Sequence, residues 1–222
     1  MKKVTCLMIS LLCVVFFQYS SVWAGWELYD NFDSGTINYE KWGIDDSSAD
    51  ITIEDGKAKF VHNEGYPNDS SWLIFKDSPE TIFAVMVDIT AGNCNGDDLR
   101  GRIGGYLGKL GPDLVWNQIQ VRPGYEEVDG GVYYETDPET EWHYHQFSNP
   151  IPIIGETFTL ILTFNSLKRT THRVIGQGEA TLSMPVPLSP LAGEEQFKGI
   201  GTRSSNGEGP CVFYFDNVRV LR

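Results

Sequence analysis

No stretch of this 222-residue chain carries the 3.6-residue apolar period of a helix over three turns. There is no internal repeat, no low-complexity tract and no long block of one charge. These absences exclude helical bundles, solenoids and disordered tails. Basic residues are scarce, 17 Lys and Arg against 30 Asp and Glu, for a formal net charge of −13. A chain this acidic is repelled by nucleic acid and by anionic lipid surfaces. Calcium and neutral or cationic glycans stay compatible with it. Long apolar runs are missing except for Val4 to Phe17, which is short for a membrane span and is followed at once by Gln18, Ser20 and Ser21.

That run reads instead as part of a signal peptide over 1–24. Lys2 and Lys3 supply the positive start, and Val22-Trp23-Ala24 supplies the small residues at −3 and −1. The expectation is a secreted or periplasmic protein of a single domain, 25–222, with no stable membrane insertion and an oligomeric state the sequence leaves open. Of the four cysteines, Cys6 and Cys13 fall inside the signal, so Cys94 and Cys211 remain. An even pair in an oxidising compartment reads as one disulfide, stapling two strand ends.

Short runs rich in β-branched and aromatic residues, punctuated by Gly, Asn, Asp and Pro, predict strands over 26–32, 50–54, 57–63, 71–76, 80–90, 99–108, 114–122, 131–136, 140–147, 156–165, 168–175, 178–183, 196–204 and 211–221. Pro185, Pro187 and Pro190 mark one long surface loop. In 156–165, Phe158, Leu160, Leu162 and Phe164 alternate with Thr157, Thr159 and Thr163, the pattern of a half-buried strand. In 80–90 both faces are apolar, which places that strand mid-sheet. Many short strands at this spacing predict an all-β sandwich or barrel.

Two ends of the chain narrow the choice. Tyr29-Asp30-Asn31-Phe32-Asp33-Ser34-Gly35 leads to Lys41-Trp42, and Phe213-Tyr214-Phe215-Asp216-Asn217-Val218-Arg219-Val220 closes the chain. Together with Gly155-Glu156-Thr157-Phe158-Thr159-Leu160 and Gly199-Ile200-Gly201, they resemble the concanavalin A-like lectin/glucanase domains. The resemblance implies a two-sheet antiparallel jelly-roll sandwich whose concave sheet holds a ligand groove. It implies a glycan or polysaccharide as partner, and a structural calcium near the paired termini, with Asp30, Asp33 and Asp216 as candidate ligands.

The strand 114–122 has the mixture a sugar groove needs, aromatic rings for C–H faces and amides or guanidinium groups for hydroxyls. Trp116, Gln118, Gln120 and Arg122 share one of its faces; Arg100, Arg102 and Tyr106 on the strand before it, and Tyr133 on the strand after it, extend the set. A lectin-like binding protein is the reading that follows, with a non-catalytic structural or adhesive surface protein as one alternative.

The other alternative is a polysaccharide-degrading enzyme of the same fold. Glu135-Thr136-Asp137-Pro138-Glu139 is similar to the Glu-x-Asp-x-Glu of retaining glucanases, which would make Glu135 nucleophile, Asp137 its partner and Glu139 the acid/base. Pro138 opposes this, because proline belongs at edges and turns rather than in a central strand. Gln118-Ile119-Gln120 likewise departs from the Gln-Ile-His strand of alginate-lyase-like sandwiches. Beyond these, 140–147 presents either Trp142 and Tyr144 or His143 and His145 to the groove, depending on register. His143 and His145, with Glu141, are the alternative metal set.

Overall fold

The computed structural model describes residues 25–134, 143–147, 153–164, 167–184 and 186–222. Among these there is no α-helix, only fifteen strands and three single 3-10 turns. The first sheet runs β13 (Gly178–Ser183), β12 (Arg169–Val174), β11 (Thr157–Thr163), β6 (Ala84–Cys94), β15 (Cys211–Leu221), β4 (Lys57–His62), β3 (Ala49–Glu54), with β1 (Glu27–Asp30) also paired to β15. The second runs β10 (His143–Phe147), β9 (Glu127–Tyr134), β8 (Asp113–Arg122), β7 (Leu99–Leu110), β14 (Lys198–Ser204), β5 (Asp69–Phe75), β2 (Trp42–Asp45). Among the described residues every pairing between two of these strands is antiparallel. The all-β, two-sheet antiparallel class expected from the sequence is what the chain adopts.

Alternation decides which side chains meet between the sheets. Val85, Val87 and Ile89 of β6, Leu160 and Leu162 of β11, and Phe213 and Phe215 of β15 face Ile103 of β7, Ile119 and Val121 of β8, and Ile200 of β14 in one buried cluster. The strand β6 lies mid-sheet between β11 and β15, and Ala84 and Met86 on its second face are buried too. Cys94 ends β6 and Cys211 starts β15, and the two form the expected disulfide across that pair.

The opening segment packs as a small aromatic nucleus. Trp42 on β2 is fully buried among Tyr29, Phe32 and Phe75, and its indole Nε1 donates to Asp30 Oδ2 at 2.8 Å. A buried indole N–H needs such an acceptor.

The core also holds polar groups. Asn117 on β8 donates through Nδ2 to Thr163 O (3.0 Å) and Thr170 Oγ1 (2.8 Å), and its Oδ1 lies 2.8 Å from His172 Nε2. Burial pulls His172 from the usual 6.5 down to about 3. On the other side of the core, His62 sits 3.2 Å from Thr202 Oγ1, and burial lowers it to about 4. Both histidines are neutral core residues.

Candidate functional site

The side chains of the second sheet that point away from the core form rows across its strands, one of which holds Ser70, Arg203 and Arg100. Cross-strand register puts Gln146, Asp129, Gln120, Arg102, Gly201, Trp72 and Asp45 in one line over all seven strands. Beside it run Tyr144, Gly131, Gln118, Gly104 and Gly199. Further along, Tyr133, Trp116 and Tyr106 stand opposite one another, and Phe197 closes on Trp116 at 5.5 Å between ring centroids. Glycine is required where rings lie flat over the sheet. A Cβ at Gly104 would sit 2.5 Å from the Trp116 ring, and one at Gly201 would sit 2.8 Å from Trp72.

Two adjoining hollows result. The first, about 380 Å³, is lined by Trp72, Tyr106, Trp116, Tyr133 and Phe197 together with Asp45, Asn68, Ser70, Arg102 and Arg203. The second, about 280 Å³, is lined by Arg100, Gln118, Gln120, Arg122, Asp129, Gly131 and Tyr144. The structure therefore brings together every groove residue expected from the sequence: Arg100, Arg102, Trp116, Gln118, Gln120, Arg122 and Tyr133. Their exposure differs from expectation. Trp116 is only 6 % exposed and Gln118 1 %, because these side chains pack on one another instead of standing free.

They are held by an ordered hydrogen-bond chain. Gln118 Oε1 accepts from Arg102 Nη1 (2.9 Å) and from Trp116 Nε1 (3.0 Å). Gln118 Nε2 then donates to Gln120 Oε1 (3.1 Å), and Gln120 Nε2 donates to Asp129 Oδ1 (2.8 Å). Asp129 Oδ2 is buried without a hydrogen bond, 3.6 Å from Arg122 Nη1. Burial raises the Asp129 carboxyl from 3.8 to about 7, with Arg122 and Gln120 opposing that rise. Arg122 itself bonds Glu127 (2.7 Å) and Asp98 (3.1 Å) and stacks on Tyr125 at 4.0 Å.

The open register of the tenth strand is settled. Tyr144 lines the second hollow and Gln146 Nε2 reaches Glu127 Oε2 at 2.7 Å, so these two take the groove face. His145 stands opposite Gly130, whose missing Cβ would meet His172 on the core side. The backbone of His143 belongs to β10, while Glu141 and Trp142 lie outside the described residues, as do Glu135, Asp137 and Glu139.

Sequence reasoning passed over Trp72, Arg203, Phe197 and Asp129. The alternation Ser70, Trp72, Ile74 was a usable signal for Trp72. Nothing local marks Arg203 or Phe197, because β14 enters this sheet between β7 and β5 by long-range pairing.

The calcium candidates divide. Asp30 already accepts from Trp42 Nε1 and from the Phe32 amide (2.9 Å). Asp216 is raised, first by burial and then by the negative charges of Asp88 and Asp33, a situation a divalent cation relieves. Among the described residues no group of three His, Cys, Asp or Glu side chains could hold a metal ion, so Asp30, Asp33 and Asp216 do not come together as a three-carboxylate set.

No family model and no curated protein matches the chain in sequence. Solved structures do match it in shape. It is similar to SCLam, a non-specific endo-β-1,3(4)-glucanase from family GH16 (TM-score 0.61, 12 % identity, 89 % of this chain and 92 % of that one). It is also similar to porphyranase B from Zobellia galactanivorans (TM-score 0.57, 11 % identity, 88 % and 92 %). A third is the carbohydrate binding module CBM66 from Bacillus subtilis (TM-score 0.52, 11 % identity, 82 % and 97 %). With its two antiparallel sheets and these likenesses, the chain has the concanavalin A-like jelly-roll fold.

Proposed function

We propose that the protein is an exported carbohydrate-binding protein that takes a polysaccharide chain into the two adjoining hollows. The observation that carries this reading is five aromatic rings around a hollow of about 380 Å³ whose floor holds Arg102 and whose neighbour holds an amide row. Ring faces suit sugar C–H groups, and the amides and guanidinium groups suit hydroxyls. Export rests on the signal read at 1–24. A broad glycan array, run with and without calcium, tests the proposal. A saccharide hit that is weakened by substituting the half-buried Tyr133 supports it, and a blank array in both conditions sinks it.

A second reading, cleavage of the same polysaccharide, is favoured by Asp129. A carboxyl near 7, buried and lining the second hollow beside Tyr144, has the proton affinity of a general acid. On β9, Glu127 and Asp129 share one face, with Gly131 two residues further on. The candidate glucanase set Glu135, Asp137 and Glu139 belongs to this same reading. Reducing-end release by the purified protein, lost in Asp129→Asn or in Glu135→Gln with Glu139→Gln, would separate an enzyme from a binder and show which carboxylates act.

A further inference from the structure

The chain as a whole is acidic, yet the first hollow is lined by two arginines, Arg102 and Arg203, against one carboxylate, Asp45, which pairs with neither. Arg102 is 2 % exposed, its guanidinium lying 4.3 Å from the Trp72 ring and 5.7 Å from the Trp116 ring. Its direct partners are neutral: Gln118 Oε1, Ser70 Oγ at 2.6 Å and the Tyr133 phenol. Its Nε is buried with no hydrogen bond. Arg203 lines the same hollow, directly opposite Arg100 across the sheet, and its Nε is likewise unpaired. Among the described residues no carboxylate comes within ion-pair distance of Arg102 or Arg203, whereas Asp98 serves both Arg100 and Arg122.

Arginine keeps its charge in proteins, and a buried charge without a counter-ion is costly. Three guanidinium groups, Arg100, Arg102 and Arg203, repel one another here, and their mutual repulsion is felt at Arg100 and Arg102. Aromatic stacking offsets part of that cost, and an anion entering the hollow would offset more. The fork of a guanidinium matches planar or tetrahedral oxyanions.

We infer that the saccharide bound in the first hollow is an acidic one, its carboxylate or sulfate ester received by Arg102 and Arg203 while its ring lies against the aromatic row. This rests on the carbohydrate-binding reading and narrows it, against the preference for neutral or cationic glycans that the net charge of −13 alone would give. The repulsion of an acidic polymer by the rest of the surface is long-range and screened by salt, while the contact in the hollow is short-range and desolvated.

The test is affinity of the purified protein for a polyuronate, a sulfated galactan and a neutral mixed-linkage β-glucan, measured by calorimetry. The same polyuronate after carboxyl reduction and the galactan after desulfation serve as controls. The expected result is at least tenfold tighter binding of one acidic polymer than of its neutralised form and of the glucan. Which acidic polymer wins decides between carboxylate and sulfate. Arg203→Gln, at a half-exposed position, should remove most of that preference with a thermal midpoint no lower than that of the wild type, since it also relieves the repulsion at Arg100 and Arg102; Arg102→Gln is the second variant. Equal affinity for neutral and acidic polymers, or an Arg203→Gln protein that keeps the full preference, overturns this inference while the binding reading stands. No binding to any polymer overturns both.

Discussion

Replacing Asp129 by Asn should stabilise the protein, and by an amount that depends on pH. The side chains are isosteric, and the amide oxygen can still accept from Gln120 Nε2, now at 2.8 Å from Asp129 Oδ1. What changes is the proton. Burial holds the folded-state carboxyl at about 7 against 3.8 in an ordinary setting. A carboxyl with a raised folded pKa contributes its full stability below the unfolded value and loses it as pH climbs through the folded value. At 1.36 kcal/mol per unit, the wild type should lose about 4 kcal/mol from this group between pH 4 and pH 7. The variant has no such loss. Urea denaturation of both proteins at pH 4.5, 6, 7 and 8 gives the difference directly, and the histidine contributions cancel in the subtraction. The variant should match the wild type near pH 4 and exceed it by several kcal/mol at pH 8. Two parallel stability curves would mean that Asp129 ionises as an exposed carboxylate does, against its burial beneath the second hollow.

Further outcomes can be checked with the same instruments. Changing both Cys94 and Cys211 to Ala should cost about 4–5 kcal/mol by the chain-entropy model, since the bond closes a separation of 117 residues; denaturation midpoints equal to the wild type would contradict this. His62 and His172, held at about 4 and 3, contribute stability that is complete above 6.5 and lost as pH falls toward those values. The acid limb should therefore be steeper in the Asp129→Asn background than in the wild type, and a flat limb there would refute neutral core histidines. Gly201→Ala places a Cβ 2.1 Å from the Ser71 carbonyl oxygen. It should cost about 1–3 kcal/mol and weaken saccharide binding; a variant with wild-type stability and affinity would show that the Trp72 ring does not depend on that space. Calcium at Asp216 should raise the thermal midpoint, with reversal by EDTA and no effect in Asp216→Asn; identical midpoints with and without EDTA would dismiss the ion.

Local signals carried the strands well, because Val85 to Ile89 or Phe158 to Leu162 alternate in a way only a sheet explains. The strand at Trp42 was missed, since Trp42-Gly43-Ile44-Asp45 is too brief to show a period and its burial comes from Tyr29 and Phe75. The start of β9 was missed for another reason. Glu127-Val128-Asp129-Gly130-Gly131 has little intrinsic β preference, and it is extended because β8 and β10 flank it. That hid Asp129. The groove face of β8 was readable from one strand, but its partners across β14 and β5 depend on pairings between distant parts of the chain, and no window of sequence contains them.

The amide row has a direction, and that direction is imposed from one end. Gln118 meets two donors, the Arg102 guanidinium and the Trp116 indole, so its oxygen must face them and its nitrogen must face Gln120. Gln120 is then obliged to present oxygen to Gln118 and nitrogen to Asp129. Neither amide can rotate by half a turn alone without setting donor against donor. The floor of the hollow is thus a fixed array of dipoles, completed when the chain folds, and under the proposed reading a saccharide would meet it already aligned. The entropy of ordering these side chains is removed from the binding step.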